Sequence, residues 1–583
     1  MRTLYDNGQV YTGKLPLAEA FVVENGRFLA VGNREEVLNY VDNATEKVEL
    51  GGKFVCAGFN DSHMHLLNYG YTLSMADLSR HTSSLREMLE YLRNFDEERH
   101  EHPGSGEKAE RQNHPEYQGN QKNHKNQENH EIQGNEESQK NQKNQENQNL
   151  QWLLGRGWNQ DYFADERRFP TRKDLDTVSK TRPVCVIRAC GHCCAVNSRA
   201  LELMGITADT PQPEGGYFEL GPDGAPNGVF RENAVEYVYR CIPAPSLEQL
   251  KEMMRRAIRK LNAYGVTSVQ TDDFLTLPVP YRQVIRAFQQ LEQEGGLTVR
   301  VYEQAQFPSV EDLREFLDDG WKPGGGSQWF RIGPLKIVAD GSLGSRTAYL
   351  SRPYEDEPSA QGMMLYSREQ LEQLLAKAAS QGMQTAVHAI GDGTLDVLLD
   401  LYEQLAQGQT KRRDGIVHCQ ITHPRQLERM ARLGLCAYVQ PIFLDYDQRI
   451  VEQRVGRELA SSSYAFHTMK EKGIHVAAGS DCPVEAPDVL AGIQCAVTRK
   501  TLDGSWGPYC PGEVMSVQEA LDAYTIEGAY ASFEETVKGK IQAGMLADFV
   551  VLGENPFEVP ASRLHRIPVL DVYVGGRRVG GKA

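Results

Sequence analysis

The sequence predicts an α/β protein: a (β/α)8, TIM-like barrel with a small β-sandwich domain built from both termini and an inserted α/β segment. Three observations point there. The middle of the chain alternates short apolar strands with amphipathic helices. Both ends read as β structure, and the residues able to carry chemistry fall where strands end.

Taken in order, the barrel strands are expected at Val55–Phe59, Val266–Thr271, Val299–Gln304, Leu335–Ala339, Gln384–His388, Gly415–His418, Cys436–Gln440 and His475–Gly479. Arg368–Gln381, Thr394–Leu405 and Pro424–Leu433 have helical periodicity and lie between them. Eight strands is the number that closes such a barrel. Near the start, Phe21-Val-Val-Glu and Arg27-Phe-Leu-Ala-Val flank Asn25-Gly26, a hairpin signal. Near the end, Asp548-Phe-Val-Val-Leu and Val569-Leu-Asp-Val-Tyr-Val precede Gly575-Gly576. The expected division is therefore 1–54 with 535–583 as sandwich, 55–76 with 232–534 as barrel, and 77–231 as insertion.

Composition narrows the function classes. A chain of 583 residues implies more than one domain. Its net charge of −16 argues against nucleic acid or an anionic membrane as partner. No apolar run approaches the ~18–20 residues that span a bilayer. The eleven cysteines are odd in number and no export signal precedes them, so free thiols and a cytoplasmic location are expected. Cys190-Gly-His-Cys-Cys lacks a second cysteine pair at zinc-finger spacing. Residues 97–149 are rich in Asn, Gln, Glu, Lys and His and almost free of apolar side chains. Such a tract has nothing to bury against the entropy of ordering, and a disordered surface loop is expected. Within its near-repeat, His and Gln interchange, so His100, His102, His114, His124 and His130 do not form a fixed ligand set.

His63-Met64-His65 is the sharpest local feature. At strand spacing, residues two apart point to one side, so both imidazoles reach one metal ion. Zinc takes such nitrogens at about 2.0–2.1 Å. The other strand ends add Lys336 on the fourth, His388 on the fifth, His418 on the sixth and Asp481 after the eighth. Charged groups are rarely buried there unless paired or ligating. His418 is preferred over His423, because it ends an apolar run whereas His423 precedes Pro424 at a helix start. Gly324-Gly-Gly is no phosphate loop, since no Lys-Ser/Thr pair follows.

These strand ends resemble those of the metal-dependent amidohydrolase superfamily, in the branch that includes N-substituted formamide deformylases. Further marks are Arg156-Gly-Trp-Asn-Gln, Pro170-Thr-Arg-Lys-Asp-Leu-Asp, Gly191-His-Cys-Cys-Ala-Val-Asn-Ser-Arg-Ala-Leu and Asn227-Gly-Val-Phe-Arg-Glu. Lys336–Thr347, Gly479-Ser-Asp-Cys-Pro-Val and Gly539-Lys-Ile-Gln-Ala-Gly-Met-Leu-Ala-Asp extend the likeness to the far end. The resemblance implies a hydrolase of non-peptide carbon–nitrogen bonds using one or two divalent ions, zinc foremost. His63, His65 and Asp481 would hold one ion, His388 and His418 a second, with Lys336 bridging as an N-carboxylated side chain. Asp481 would be general base and then general acid. His192 would contact substrate or donate to an oxyanion, or else belong to the scaffold.

Alternatives remain open at this point. Lys336 could instead contact substrate or pair with Asp340, leaving one metal. A one-metal aminohydrolase would use His63, His65, His388 and Asp481, and a silent binding protein on the same scaffold would lose ligands, which this chain keeps. Expected partners are a small-molecule substrate and a second copy in a homodimer. Aromatics such as Trp158, Tyr162, Phe163 and Tyr349 are candidates for an apolar entrance or for packing. Excision of residues 97–149 is expected to leave turnover and assembly state unchanged, as read by steady-state assay and gel filtration; a change in either assigns the tract a role.

Overall fold

Gly58 divides what the apolar run Val55–Phe59 reads as one strand. In the computed structural model, which describes residues 2–81, 83–101, 152–189, 192–405 and 412–581, Phe54–Ala57 pairs antiparallel with Phe549–Leu552 in a terminal sheet. The barrel's first strand, β1 (Phe59–Met64), begins only after Gly58. A Cβ at Gly58 would lie 2.2 Å from Thr267 Oγ1, so the turn from one sheet to the other passes where no side chain fits. His63 consequently lies inside β1, and His65 follows its end, which falls five residues further along than the apolar run suggests.

The remaining barrel strands are β2 (Val266–Thr271), β3 (Arg300–Gln306), β4 (Phe330–Val338), β5 (Thr385–Ala389), β6 (Gly415–His418), β7 (Cys436–Val439) and β8 (Val476–Ala478). Each pairs parallel with the next, in sequence order. β4 starts at Phe330, five residues before the expected start, because Arg331 and Gly333 interrupt its apolar pattern. The ring closes just beyond β8: Asp481 N donates to His63 O at 2.8 Å, and His65 N donates to Cys482 O at 2.8 Å. That approach needs Gly479, where a Cβ would lie 2.6 Å from His63 N.

Amphipathic helices bury their apolar stripes outside the barrel. Leu250, Met254, Ile258 and Leu261 of the helix Leu247–Ala263 join Val284, Phe288 and Leu291 of Tyr281–Gln293 in the main core. Ser246 and Gln249 form a capping box at the first of these helices.

Two sheets from the chain ends face each other over Tyr5, Phe21, Phe28, Val55, Phe549 and Val551. Both terminal hairpins turn on residues with positive φ, Asn25-Gly26 and Gly575-Gly576, as tight two-residue turns require. Asp548, at the edge of this layer, grips Arg300 of β3 with two charge-assisted bonds, Nε–Oδ2 2.6 Å and Nη2–Oδ1 2.9 Å. Both side chains are 3–4% exposed.

Residues Met1–Gly70 with Pro245–Ala583 form one unit, and Tyr71–Ala244 a second. The second is built on a six-stranded sheet in the order Gly216–Leu220, Pro226–Glu232, Cys193–Val196, Val184–Arg188, Leu153–Trp158 and Ala76–Asp77. Leu78, Leu92, Trp158, Phe163 and Val186 fill one side of it. Trp158 and Phe163 are thus packing residues, fully buried, and not entrance aromatics. Of the tract expected to be a loop from 97 to 149, residues 97–101 complete the helix Leu85–Glu101, and 102–149 lie outside the described residues. The ten described cysteines are all free thiols. Among the described residues no helix is long and apolar enough to cross a membrane.

Removing one partner of a buried ion pair leaves the other charge uncompensated, at about 3–5 kcal/mol. Asp548→Asn should lower unfolding stability by about that amount, read from urea titration. Replacing both residues with apolar ones of similar size should recover most of the loss.

Candidate metal centre

All the chemistry-bearing side chains of the barrel gather at the C-terminal ends of its strands, the end that carries active sites in this architecture. β1 supplies His63 and is followed at once by His65, and β2 is followed at once by Asp272. β3 carries Gln304, β4 Lys336, β5 His388 and β6 His418, while Gln440 follows β7 and Asp481 follows β8. His418, Cys419 and Asp481 hold φ of 70°, 47° and 58°, backbone that β-strand ends tolerate only under tertiary constraint.

Three imidazoles are held the same way round. His63 Nδ1 meets Gln304 Oε1 at 3.0 Å, His418 Nδ1 meets Gln440 Oε1 at 2.7 Å, and His388 Nδ1 meets Asp340 Oδ1 at 2.9 Å. An acceptor at Nδ1 selects the Nδ1–H tautomer and leaves the Nε2 lone pair for a ligand. Asp340 is itself anchored by the backbone N–H groups of Ile390 and Gly391 and the Thr394 hydroxyl.

Two overlapping groups bring donor atoms within 4.8 Å of one another: His63 with His418 and Asp481, and His63 with His65 and Asp272. Asp481 Oδ1 lies 3.0 Å from His65 Nε2 and 3.4 Å from His63 Nε2. Asp272 Oδ1 is in contact with His65 Nδ1, yet it is buried without an aligned hydrogen bond. Lys336, 1% exposed, places Nζ 2.8 Å from Asp272 Oδ2 and 3.2 Å from His63 Nε2. Its partner is thus Asp272 rather than Asp340, which the His388 ring occupies. His388 belongs to neither group, although its ring centroid is 4.5 Å from that of His418.

The electrostatics suit a divalent cation. Burial and the nearby Lys336 charge hold His63 well below the usual imidazole value, and burial with His388 brings His418 down to about 3. Both are neutral and ready to ligate. Burial would depress His65 too, but Asp272 and Asp481 outweigh it and raise it to about 10. Asp481 and Asp272 are held well below the ordinary carboxylate range: burial pushes each up, and the His65 hydrogen bond with the surrounding imidazoles for Asp481, and His65 with Lys336 for Asp272, more than reverse that. Neutral nitrogens and ionised oxygens converging from several strands, one oxygen lacking an aligned hydrogen-bond partner, fit a zinc-type donor set.

Five of the six metal residues expected from sequence therefore meet here, with His388 beside them. Asp272 was not among those expected, although the strand-end rule applied to Val266–Thr271 points straight to it. The orienting partners Gln304, Gln440 and Asp340 carry no sequence signal of their own. His192 belongs to the second unit, where it is 70% exposed and pairs with Glu232 at 3.1 Å. His423 caps the helix Pro424–Leu433. His81, His467, His475 and His565 have partners that sequence does not reveal, among them Glu87, Glu471, Glu527 and Gln494. The aromatic ring against the cluster is Phe443, stacked on His418 at 5.9 Å.

A parallel eight-stranded barrel with this histidine–aspartate mouth defines a metal-dependent hydrolase scaffold. The amidohydrolase family model matches residues 46–580, and the chain belongs to that family. It is 31% identical over 590 residues to the putative amidohydrolase YtcJ of Bacillus subtilis, covering all of both chains. It is 26% identical to the N-substituted formamide deformylase of Arthrobacter pascens, over 96% of this chain and 94% of that one. Among solved structures, an uncharacterized metal-dependent hydrolase from Pyrococcus horikoshii OT3 matches with a TM-score of 0.74 at 26% identity, over 96% of this chain and 99% of that one. The protein is a hydrolase of the metal-dependent amidohydrolase superfamily.

The His65 shift has a measurable consequence. A group whose folded value is raised contributes stability below its unfolded value, near 6.5, and loses it as pH climbs through about 10. Metal-stripped protein should therefore lose melting temperature steadily between about pH 6.5 and 10. Zinc must displace the His65 proton, so zinc-loaded protein should be flat over that window and loading at pH 8 should release protons, as read by pH-stat titration.

Proposed function

We propose that the protein hydrolyses a non-peptide carbon–nitrogen bond in a small molecule, of the N-formyl or N-acyl amine type. The observation that supports this most directly is the pairing of neutral His63 and His418 with ionised Asp272 and Asp481 at one barrel mouth. The named activity of the Arthrobacter relative supports the choice of bond. Zinc is the proposed ion, held by His63, His65 and Asp481 with Asp272 adjacent; His418, His388 and Lys336 offer a second position. A divalent ion supplies a Lewis acid that polarises the scissile carbonyl and makes water nucleophilic near neutral pH.

The chain's own residues do the rest. Asp481 takes the proton of the attacking water and returns it to the leaving nitrogen. Besides burial, the hydrogen bond from His65 has the largest influence on Asp481 and depresses its basicity. Gln304, Gln440 and Asp340 hold the imidazoles in one tautomer throughout. Phe443 offers an apolar surface beside His418 for the substituent on the amide. Ten free thiols accord with action in a reducing compartment, the cytoplasm.

One observation favours a second reading. Lys336 Nζ donates to Asp272 Oδ2 at 2.8 Å, and a lysine that keeps this partner unmodified leaves a one-metal centre, as an aminohydrolase would use. Metal content separates the two: about two zinc per chain, rising with bicarbonate, supports the carboxylated bridge, and one supports the ammonium.

On a panel of N-formyl, N-acyl and cyclic amides and aminopurines, chelation should abolish turnover and zinc restore it. Asp481→Asn should cut kcat by about 10²–10⁴-fold. Turnover of the aminopurines alone would overturn the amide reading in favour of deamination.

A further inference from the structure

β1 and β8 are the two ends of the barrel's strand order, and no ladder joins them among the described residues. Their seam is made by the segment just after β8, Gly479-Ser480-Asp481-Cys482, whose backbone N–H groups need acceptors where they are buried. Asp481 N finds the His63 carbonyl at 2.8 Å. Ser480 N instead donates to a side chain of β1, Asp61 Oδ1, at 3.0 Å. The Ser480 hydroxyl donates to Asp61 Oδ2 and accepts Cys482 N at 3.1 Å. Asp61 Oδ1 also accepts His63 N at 3.3 Å.

Asp61 is fully buried, and its two oxygens serve three donors that an apolar residue would leave unpaired. Gly479 makes room for the carboxylate: a Cβ there would lie 2.7 Å from Asp61 Oδ1. Asp61 is in neither group of converging donor atoms, so it does not act as a ligand. The residue held between the pinned positions is Asp481. Its φ of 58° is uncommon outside glycine and persists only where the surroundings over-determine it. In that conformation Oδ1 lies 3.0 Å from His65 Nε2 and 3.4 Å from His63 Nε2.

We propose that Asp61 and Ser480 are positioning residues for Asp481. The Asp61 carboxylate stands in for a ladder rung between β1 and the segment after β8, and the Ser480 hydroxyl passes that hold to Cys482. A backbone ladder would also close the seam, but it would carry extended backbone through residue 481. The side-chain rung ends the strand where the Asp481 carboxylate has to turn toward the two histidines. This role rests on the metal reading above.

Cobalt(II) titration of the full chain, followed by the visible absorption bands that report ligand geometry, tests the proposal. Ser480→Ala, which adds no bulk, should bind cobalt about ten-fold more weakly and shift the bands. Crystals of that variant should show Asp481 displaced from its φ of 58°. Asp61→Asn keeps an oxygen for Ser480 N and reverses the bond to the hydroxyl. It should move affinity and bands in the same direction by less, and it carries the test where Ser480→Ala does not fold. A lowered melting temperature with cobalt affinity and bands unchanged overturns the positioning role and leaves Asp61 and Ser480 as scaffold. Weaker cobalt binding with Asp481 unmoved in the crystals overturns it as well, because the effect then bypasses Asp481. If the unaltered chain binds no cobalt, the metal reading itself falls and the positioning role with it.

Discussion

The closure of the barrel between β1 and β8 is the constraint on which the rest depends. Two backbone hydrogen bonds, Asp481 N to His63 O and His65 N to Cys482 O, tie together segments more than four hundred positions apart. They set Asp481 against His63 and His65 and bring its carboxylate within 3.4 Å of each. Loop-closure entropy grows only slowly with length, so a long intervening chain weighs little once the strands between are paired. Gly479 makes the approach possible, and the positive φ of Asp481 turns its side chain into the mouth.

Charge at the mouth is balanced by few groups. Two buried carboxylates, Asp272 and Asp481, face the His65 and Lys336 side chains and the neutral imidazoles of His63 and His418. Isolated buried charges of this kind would be strongly disfavoured, and mutual pairing is what sustains them. In the proposed zinc centre a divalent ion would take the place of the His65 proton beside the same two carboxylates.

Much of the site was legible in sequence because strand ends are marked by the end of an apolar run. Ile416-Val417-His418 and Ala386-Val387-His388 announce themselves in this way, and the strand bounds differ from expectation by one or two residues at most of these positions. Asp272 was equally marked, following Thr271 directly. The first strand shows the limit. Phe54–Ala57 and Phe59–Met64 are both buried, and composition does not distinguish one sheet from another. Only pairing with Phe549–Leu552 assigns the former to the terminal layer.

By itself the sequence determined the barrel, the β structure of both chain ends and most of the candidate ligands at its mouth, since periodicity and residue type are local properties. Tertiary structure decided which of those residues meet. Lys336 turned to Asp272 instead of Asp340, His388 was set behind His418, and Gln304 and Gln440 became the partners that aim two histidines. The reason is physical: a hydrogen bond across the barrel depends on strand register and closure, and those are settled by the pairing of segments that carry no trace of one another in the chain.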